Sequence, residues 1–131
     1  APAPNRVKNS LQVLKEEFPE HQIIALFEPN SASRPQDKSL FRKIYKGSFS
    51  KANKVFIPEL SSFDEDLADS DTMVEILQEM FNEVVFSAID AGKMVEVLEG
   101  IVEDQKKTLV VFYSSYRLET VMRDFVKTNQ V

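Results

Sequence analysis

The sequence has no cysteine, a single histidine and only 3 glycines among its 131 residues, and each scarcity removes a class of chemistry. Without cysteine there is neither a disulfide framework nor a thiolate metal site. With His21 alone, zinc sites and catalytic triads that need histidine are disfavoured. His21 follows Pro19-Glu20 and precedes the first apolar run, so it reads as a solvated loop residue. A loop that cradles phosphate needs closely spaced glycines, because backbone N–H groups must approach the anion without interference from Cβ. Gly47, Gly92 and Gly100 are too widely scattered to form one. Gly47 and Gly100 stand near the ends of helical stripes and read as C-caps.

Positive charge is scarce too. Lys and Arg total 16 against 21 acidic residues, a formal net charge of -5, and no basic stripe compensates. Such a surface repels a phosphate backbone, which argues against nucleic-acid binding. The sequence has no long apolar run and no signal-like segment; no membrane association is expected, and a cytoplasmic location is. The acidic set Asp64, Glu65, Asp66, Asp69 and Asp71 lacks the glycine and ligand spacing of a calcium loop, and reads as a solvated face.

What is present is apolar and periodic. The hydrophobic fraction of 43%, with ten Phe, excludes disorder, and the length suits one domain with one sizeable core. Val7, Leu11, Leu14 and Phe18 recur at helical spacing and predict a helix from about Arg6 to Glu17, with Asn5 as its cap. Gln22 to Phe27 is an unbroken apolar run, the mark of a strand covered on both faces. A second helix is predicted from about Asp37 to Ser50 and a second strand over Lys54 to Ile57. Met73, Ile76, Leu77 and Met80 form the next helical stripe, followed by a short strand over Glu83 to Phe86. Asp90 is placed to cap a helix carrying Met94, Val97, Leu98 and Ile101. Lys107 to Tyr113 is the clearest strand signal, and Ser114-Ser115 is placed to cap a last helix with Leu118, Val121, Met122 and Phe125 inward. The tail from Val126 to Val131 is left between an added edge strand and a frayed end.

Strands and helices thus alternate. The order predicts an α/β fold, a Rossmann-like three-layer sandwich with a mostly parallel sheet and helices on both faces. Ligands of such sheets sit beyond the carboxyl ends of the strands, which directs attention to residues 28–35, 58–64, 87–92 and 114–117. In the first of these loops Arg34 is a candidate clamp for a carboxylate or phosphate, and Ser31 and Ser33 are candidate hydrogen-bond donors. The alternatives are a salt bridge for Arg34 and backbone capping for the serines. Tyr116 either packs over the sheet edge or walls a cleft. No nucleophile stands with a base.

These residues also carry a family resemblance. Ile24-Ala25-Leu26-Phe27-Glu28-Pro29-Asn30-Ser31-Ala32-Ser33-Arg34 resembles the first-strand segment of Mur ligase carboxy-terminal domains. It is closest to the branch that attaches murein tripeptide to UDP-N-acetylmuramate, with its F-E-P-R-S-x-x motif. Pro4-Asn5 and the helix after it resemble the end of the family's H-H-P-T segment, and Ala52-Asn53-Lys54-Val55-Phe56-Ile57 its A-D-x-V strand. Leu109 to Tyr116 is similar to the last motif, V-L-V-M-S-N-G-G-F. The similarities occur in family order across nearly the whole chain.

The resemblance implies a domain, excised from a longer enzyme, that closes over substrate and ATP. The implied reaction is ATP-dependent amide formation, joining a murein peptide to UDP-N-acetylmuramate through an acyl phosphate. It implies ATP and Mg2+ as cofactors of the full-length enzyme, bound mainly by domains absent here. Its implied partners are a central ATP-binding domain and an amino-terminal UDP-sugar-binding domain of the same chain. Residue by residue, Ser31, Ser33 and Arg34 become candidates for contact with the peptide, and Ser114 and Ser115 candidates for the closing face. The departures are Ala3 where the family has histidine, Asn30 where it has the motif arginine, and Ser115-Tyr116 in place of Asn-Gly. They keep open a domain of the type that adds L-alanine to UDP-N-acetylmuramate, and a non-catalytic interaction module on the same fold.

Overall fold

At the centre of the molecule is β1 (Gln22–Phe27), in which Ile23 through Phe27 have no solvent exposure. The computed structural model describes residues 3–59, 67–104, 107–113 and 117–128. β1 pairs in parallel with β2 (Lys54–Pro58) on one side and β4 (Thr108–Tyr113) on the other, so that Ala25 lies level with Val55 and Val111. β3 (Val85–Ile89) joins β2, also in parallel, and the sheet order is β3-β2-β1-β4. Side chains alternate across the sheet as the two-residue repeat requires. Ile23, Ala25, Phe27, Val55 and Ile57 enter one apolar cluster, while Ile24, Leu26 and Phe56 enter the other.

Helices α1 (Pro4–Glu17), α2 (Lys38–Ile44) and α3 (Ser70–Met80) cover the first face. Helices α4 (Ala91–Asp104) and α5 (Arg117–Thr128) cover the second. The three-layer sandwich expected from the alternation is therefore present. The chain steps outward from β1 to β3 through α2 and α3, then returns to the far side of β1 through α4 on the opposite face. Right-handed crossovers demand that change of face when the strand order reverses. The reversal falls between β1 and β4.

Several boundaries differ from the sequence reading. α1 starts at Pro4, not Arg6, and Ala3 takes the N-cap position in place of Asn5. Proline's fixed φ suits the first helical position, and the Ala3 carbonyl accepts the Arg6 and Val7 N–H groups. α2 stops at Ile44 rather than Ser50, and turns follow it. Tyr45, not Gly47, is the C-cap, and Gly47, at φ 72°, turns the chain two residues further on. That turn drives Phe49 into the core, where its ring meets Phe27 at 5.3 Å and Phe86 at 5.6 Å. β3 begins at Val85 and runs to Ile89, two residues later than expected at its start. The reason is Gln78: its amide donates to the Val84 carbonyl at 2.7 Å and accepts from the Phe86 N–H at 3.1 Å, holding residues 82–84 in a turn. Gly100 is interior to α4 and caps nothing. Val126 to Thr128 continue α5; residues 129–131 lie outside the described residues.

A carboxyl-edge site between β1 and β4

The strand-order reversal leaves the carboxyl ends of β1 and β4 side by side, which is where an open α/β sheet holds its ligands. Glu28 leaves β1 at this point and is 4% exposed. Its backbone N–H donates to the Tyr113 carbonyl at 2.8 Å, and its carboxylate Oε1 accepts the Leu118 N–H at 3.3 Å. The first turn of α5 is thus met by a carboxylate from the end of β1.

The loop beyond Glu28 is tightly tied. The Asn30 side chain accepts the Ser33 N–H at 3.0 Å and opens a single 3-10 turn over Ser31–Ser33. Ser33 is 4% exposed, and its carbonyl accepts the Tyr45 hydroxyl at 2.6 Å. Burial holds that phenol far above its ordinary pKa, against smaller opposing effects from the Ser33 hydrogen bond and the Arg34 charge. Arg34 is 9% exposed and donates from Nε to the Ala68 carbonyl at 2.9 Å. Beside it, Pro35 bridges Leu67. The guanidinium that the sequence places in a ligand loop is therefore folded into the wall of that loop. Ser31 is exposed at the edge. Ser114 and Ser115 lie outside the described residues.

The same edge carries the starts of the crossover helices, and acidic side chains occupy them. Asp37 accepts the Leu40 N–H at 3.0 Å, Asp69 the Thr72 N–H at 2.8 Å, and Asp90 the Gly92 N–H at 2.9 Å. Each satisfies a donor that the helix leaves unpaired and places negative charge at the positive end of the dipole. The Thr72 side-chain and backbone hydrogen bonds hold the Asp69 carboxyl below its ordinary pKa, and burial opposes them weakly. α1 lacks a side-chain cap, unlike α2, α3 and the 3-10 turn.

The described residues of this edge form no phosphate cradle. The starts of α2, α3, α4 and α5 already meet carboxylates, and the one positive-φ glycine among the described residues, Gly47, follows α2 rather than opening a helix. Among the described residues no group of three or more His, Cys, Asp and Glu is arranged to hold a metal ion. A groove of about 190 Å³ runs between the start of α4 and α5, lined by Ala91, Val95, Thr120 and Asp124. Small-molecule sites begin at roughly 300 Å³, so this groove is smaller than a small-molecule pocket. His21 sits at the opposite end of the sheet, where its ring packs edge-on against Phe18 at 5.4 Å. No described helix is long and apolar enough to cross a membrane.

Glu28, Asn30 and Tyr45 were not legible as site-shaping residues. The one available signal was a carboxylate placed directly after an unbroken buried strand, a position that demands a partner.

Fold and edge together define a Rossmann-like α/β domain with a mostly parallel, doubly covered sheet. No family model matches the chain, and no curated protein matches it in sequence. Solved structures do match it in fold. A domain described as coming from a UDP-N-acetylmuramate:L-alanyl-gamma-D-glutamyl-diaminopimelate ligase of Haemophilus ducreyi aligns over 98% of this chain and 85% of its own, at TM-score 0.63 and 14% identity. A murein peptide ligase of Psychrobacter arcticus aligns over 100% of this chain but 27% of its own, at TM-score 0.70 and 14% identity. Folylpolyglutamate synthase of Mycobacterium tuberculosis, solved with ADP and AMPPCP, aligns over 95% of this chain and 28% of its own, at TM-score 0.56 and 15% identity. The chain thus spans little more than a quarter of the two longer ligases. At these identities the likeness is one of fold.

Proposed function

We propose that this chain is the carboxy-terminal, closing domain of an ATP-dependent amide-forming ligase that joins a murein peptide to UDP-N-acetylmuramate. The observation that carries the reading is the fold match over the whole chain to a 27% portion of a murein peptide ligase. The carboxyl edge supports it, because capped helix starts and a shallow groove suit a wall that completes a site rather than a site of its own. In this reading ATP and Mg2+ are held mainly by a central domain, and the UDP-sugar by an amino-terminal domain of the same protein. Ser31 faces the incoming peptide, and the resemblance makes Ser114 and Ser115 candidates for the closing face. Ser33 and Arg34 act at that face by holding the loop in shape, and Arg34 borders the incoming peptide.

The coding sequence around this chain and an assay of the intact protein test the proposal. A phosphate-loop domain immediately upstream, with ATP-dependent joining of peptide to UDP-N-acetylmuramate, is the expected result. Joining of L-alanine instead would move the substrate assignment; no ligase domain upstream would end the proposal. For Arg34, the Arg34→Ala variant of the intact enzyme is expected to raise peptide KM, and unchanged KM and kcat/KM would remove the contact.

Asn30 favours a second reading. It stands where the resembled family has arginine, and its side chain is engaged in capping the turn over Ser31–Ser33. A non-catalytic interaction module that kept the fold and lost the ligand contact fits that substitution. A stable protein partner, with no ligase domain in the parent gene, is the result that would select it.

A further inference from the structure

Two of the hydrogen bonds at Glu28 reach far along the sequence. Its N–H is bonded to Tyr113, the last residue of β4, and its carboxylate is bonded to Leu118, the second residue of α5. The Leu118 N–H is one of the donors a helix cannot satisfy internally. The start of a helix at the strand-order reversal is also where an open α/β sheet receives an anionic ligand. Here a side chain of the chain itself, 4% exposed, is in that position.

We propose that Glu28 is a built-in anion, seated where such sheets receive phosphate, that positions the start of α5 and excludes phosphate ligands from the Leu118 amide. A second anion placed there would lie close to a poorly solvated carboxylate, where like charges repel far more strongly than in water. One carboxylate therefore does two things. It fixes the wall beside the carboxyl ends of β1 and β4, and it leaves phosphate binding to groups elsewhere. Only the second consequence rests on the ligase reading; the seating of the carboxylate does not.

The test uses the 131-residue chain, Glu28→Ala and Glu28→Gln, with formate and inorganic phosphate as probes. In Glu28→Ala the Tm is expected to fall by roughly 5–10 °C, as for loss of a buried cap. Formate, which is the carboxylate without its tether, is expected to restore part of that loss saturably at fixed ionic strength, and to shift the Leu118 amide resonance. The wild-type Leu118 resonance is expected to respond to neither probe. If the alanine variant does not fold, Glu28→Gln decides: it keeps the shape and loses the charge, and its Leu118 amide is expected to exchange with solvent about 5-fold faster. Formate-insensitive Glu28→Ala with an unchanged Tm, equal exchange in Glu28→Gln, or phosphate binding at Leu118 in the wild type would each overturn the proposal. None of these outcomes bears on amide formation by the intact protein, so the two readings fail separately.

Discussion

Arg34 and Ala68 hold each other twice: the arginine Nε donates to the Ala68 carbonyl at 2.9 Å, and the Ala68 N–H donates to the Arg34 carbonyl at 2.9 Å. The pair ties the loop after β1 to the approach to α3, and the neighbouring Pro35–Leu67 bridge extends the tie.

Replacing Arg34 should therefore weaken the fold as well as any ligand contact. A hydrogen bond from a charged, largely buried donor contributes about 1.5–3 kcal/mol. Arg34→Ala is expected to lower unfolding stability by that amount in urea melts. Arg34→Lys should not restore it, because the ammonium lies at the end of a flexible stem and has no donor in the Nε position. A lysine variant as stable as the parent would show that charge, and not the Nε bond, matters there.

Tyr45 offers a sharper test of the same loop. Tyr45→Phe keeps the ring that stacks on Phe41 at 4.5 Å but strands the buried Ser33 carbonyl. The expected loss is about 1–3 kcal/mol. Burial raises the folded pKa above the ordinary 10.0, so the folded state keeps its proton where the unfolded state releases it. The stabilisation is complete below pH 10.0 and declines as pH rises above it. Absorbance titration should accordingly find the Tyr45 phenol neutral until alkaline unfolding; its ionisation in the folded chain near the ordinary value would contradict the burial.

Asp69 shows the opposite dependence. Its folded pKa lies below the ordinary 3.8, chiefly through the Thr72 hydroxyl and N–H. Its contribution is present above that ordinary value and is lost as pH falls through the lowered one. Asp69→Ala should reduce stability by about 1 kcal/mol at neutral pH, as for other helix caps. The difference between variant and parent should vanish in strong acid. A gap that persists at the lowest pH would mean that packing, not the charged cap, is responsible.

The fold was legible because its signals are local and repeated. The apolar run Ile23 to Phe27 announced a strand buried on both faces, and stripes such as Met73, Ile76, Leu77 and Met80 announced helices in the correct order. Boundaries were lost where a single side chain acts across a turn, as Gln78 does on Val84 and Phe86, or where α2 stops at Ile44 although apolar periodicity would continue it. The site was less legible for a related reason. Arg34 and Ser33 were correctly placed in the loop after β1, but their burial depends on Ala68 and Tyr45, which sequence spacing does not connect to them. Glu28 pairs with a helix 90 residues away, and no local pattern encodes that partnership.

The central claim is that phosphate chemistry must come from outside these residues. It is tested most directly by incubating the purified 131-residue chain with ATP, Mg2+, UDP-N-acetylmuramate and murein peptide, and measuring ADP and amide product. The account predicts neither product above the enzyme-free background, at any ATP concentration. Saturable ADP release coupled to amide formation by this chain alone would contradict it.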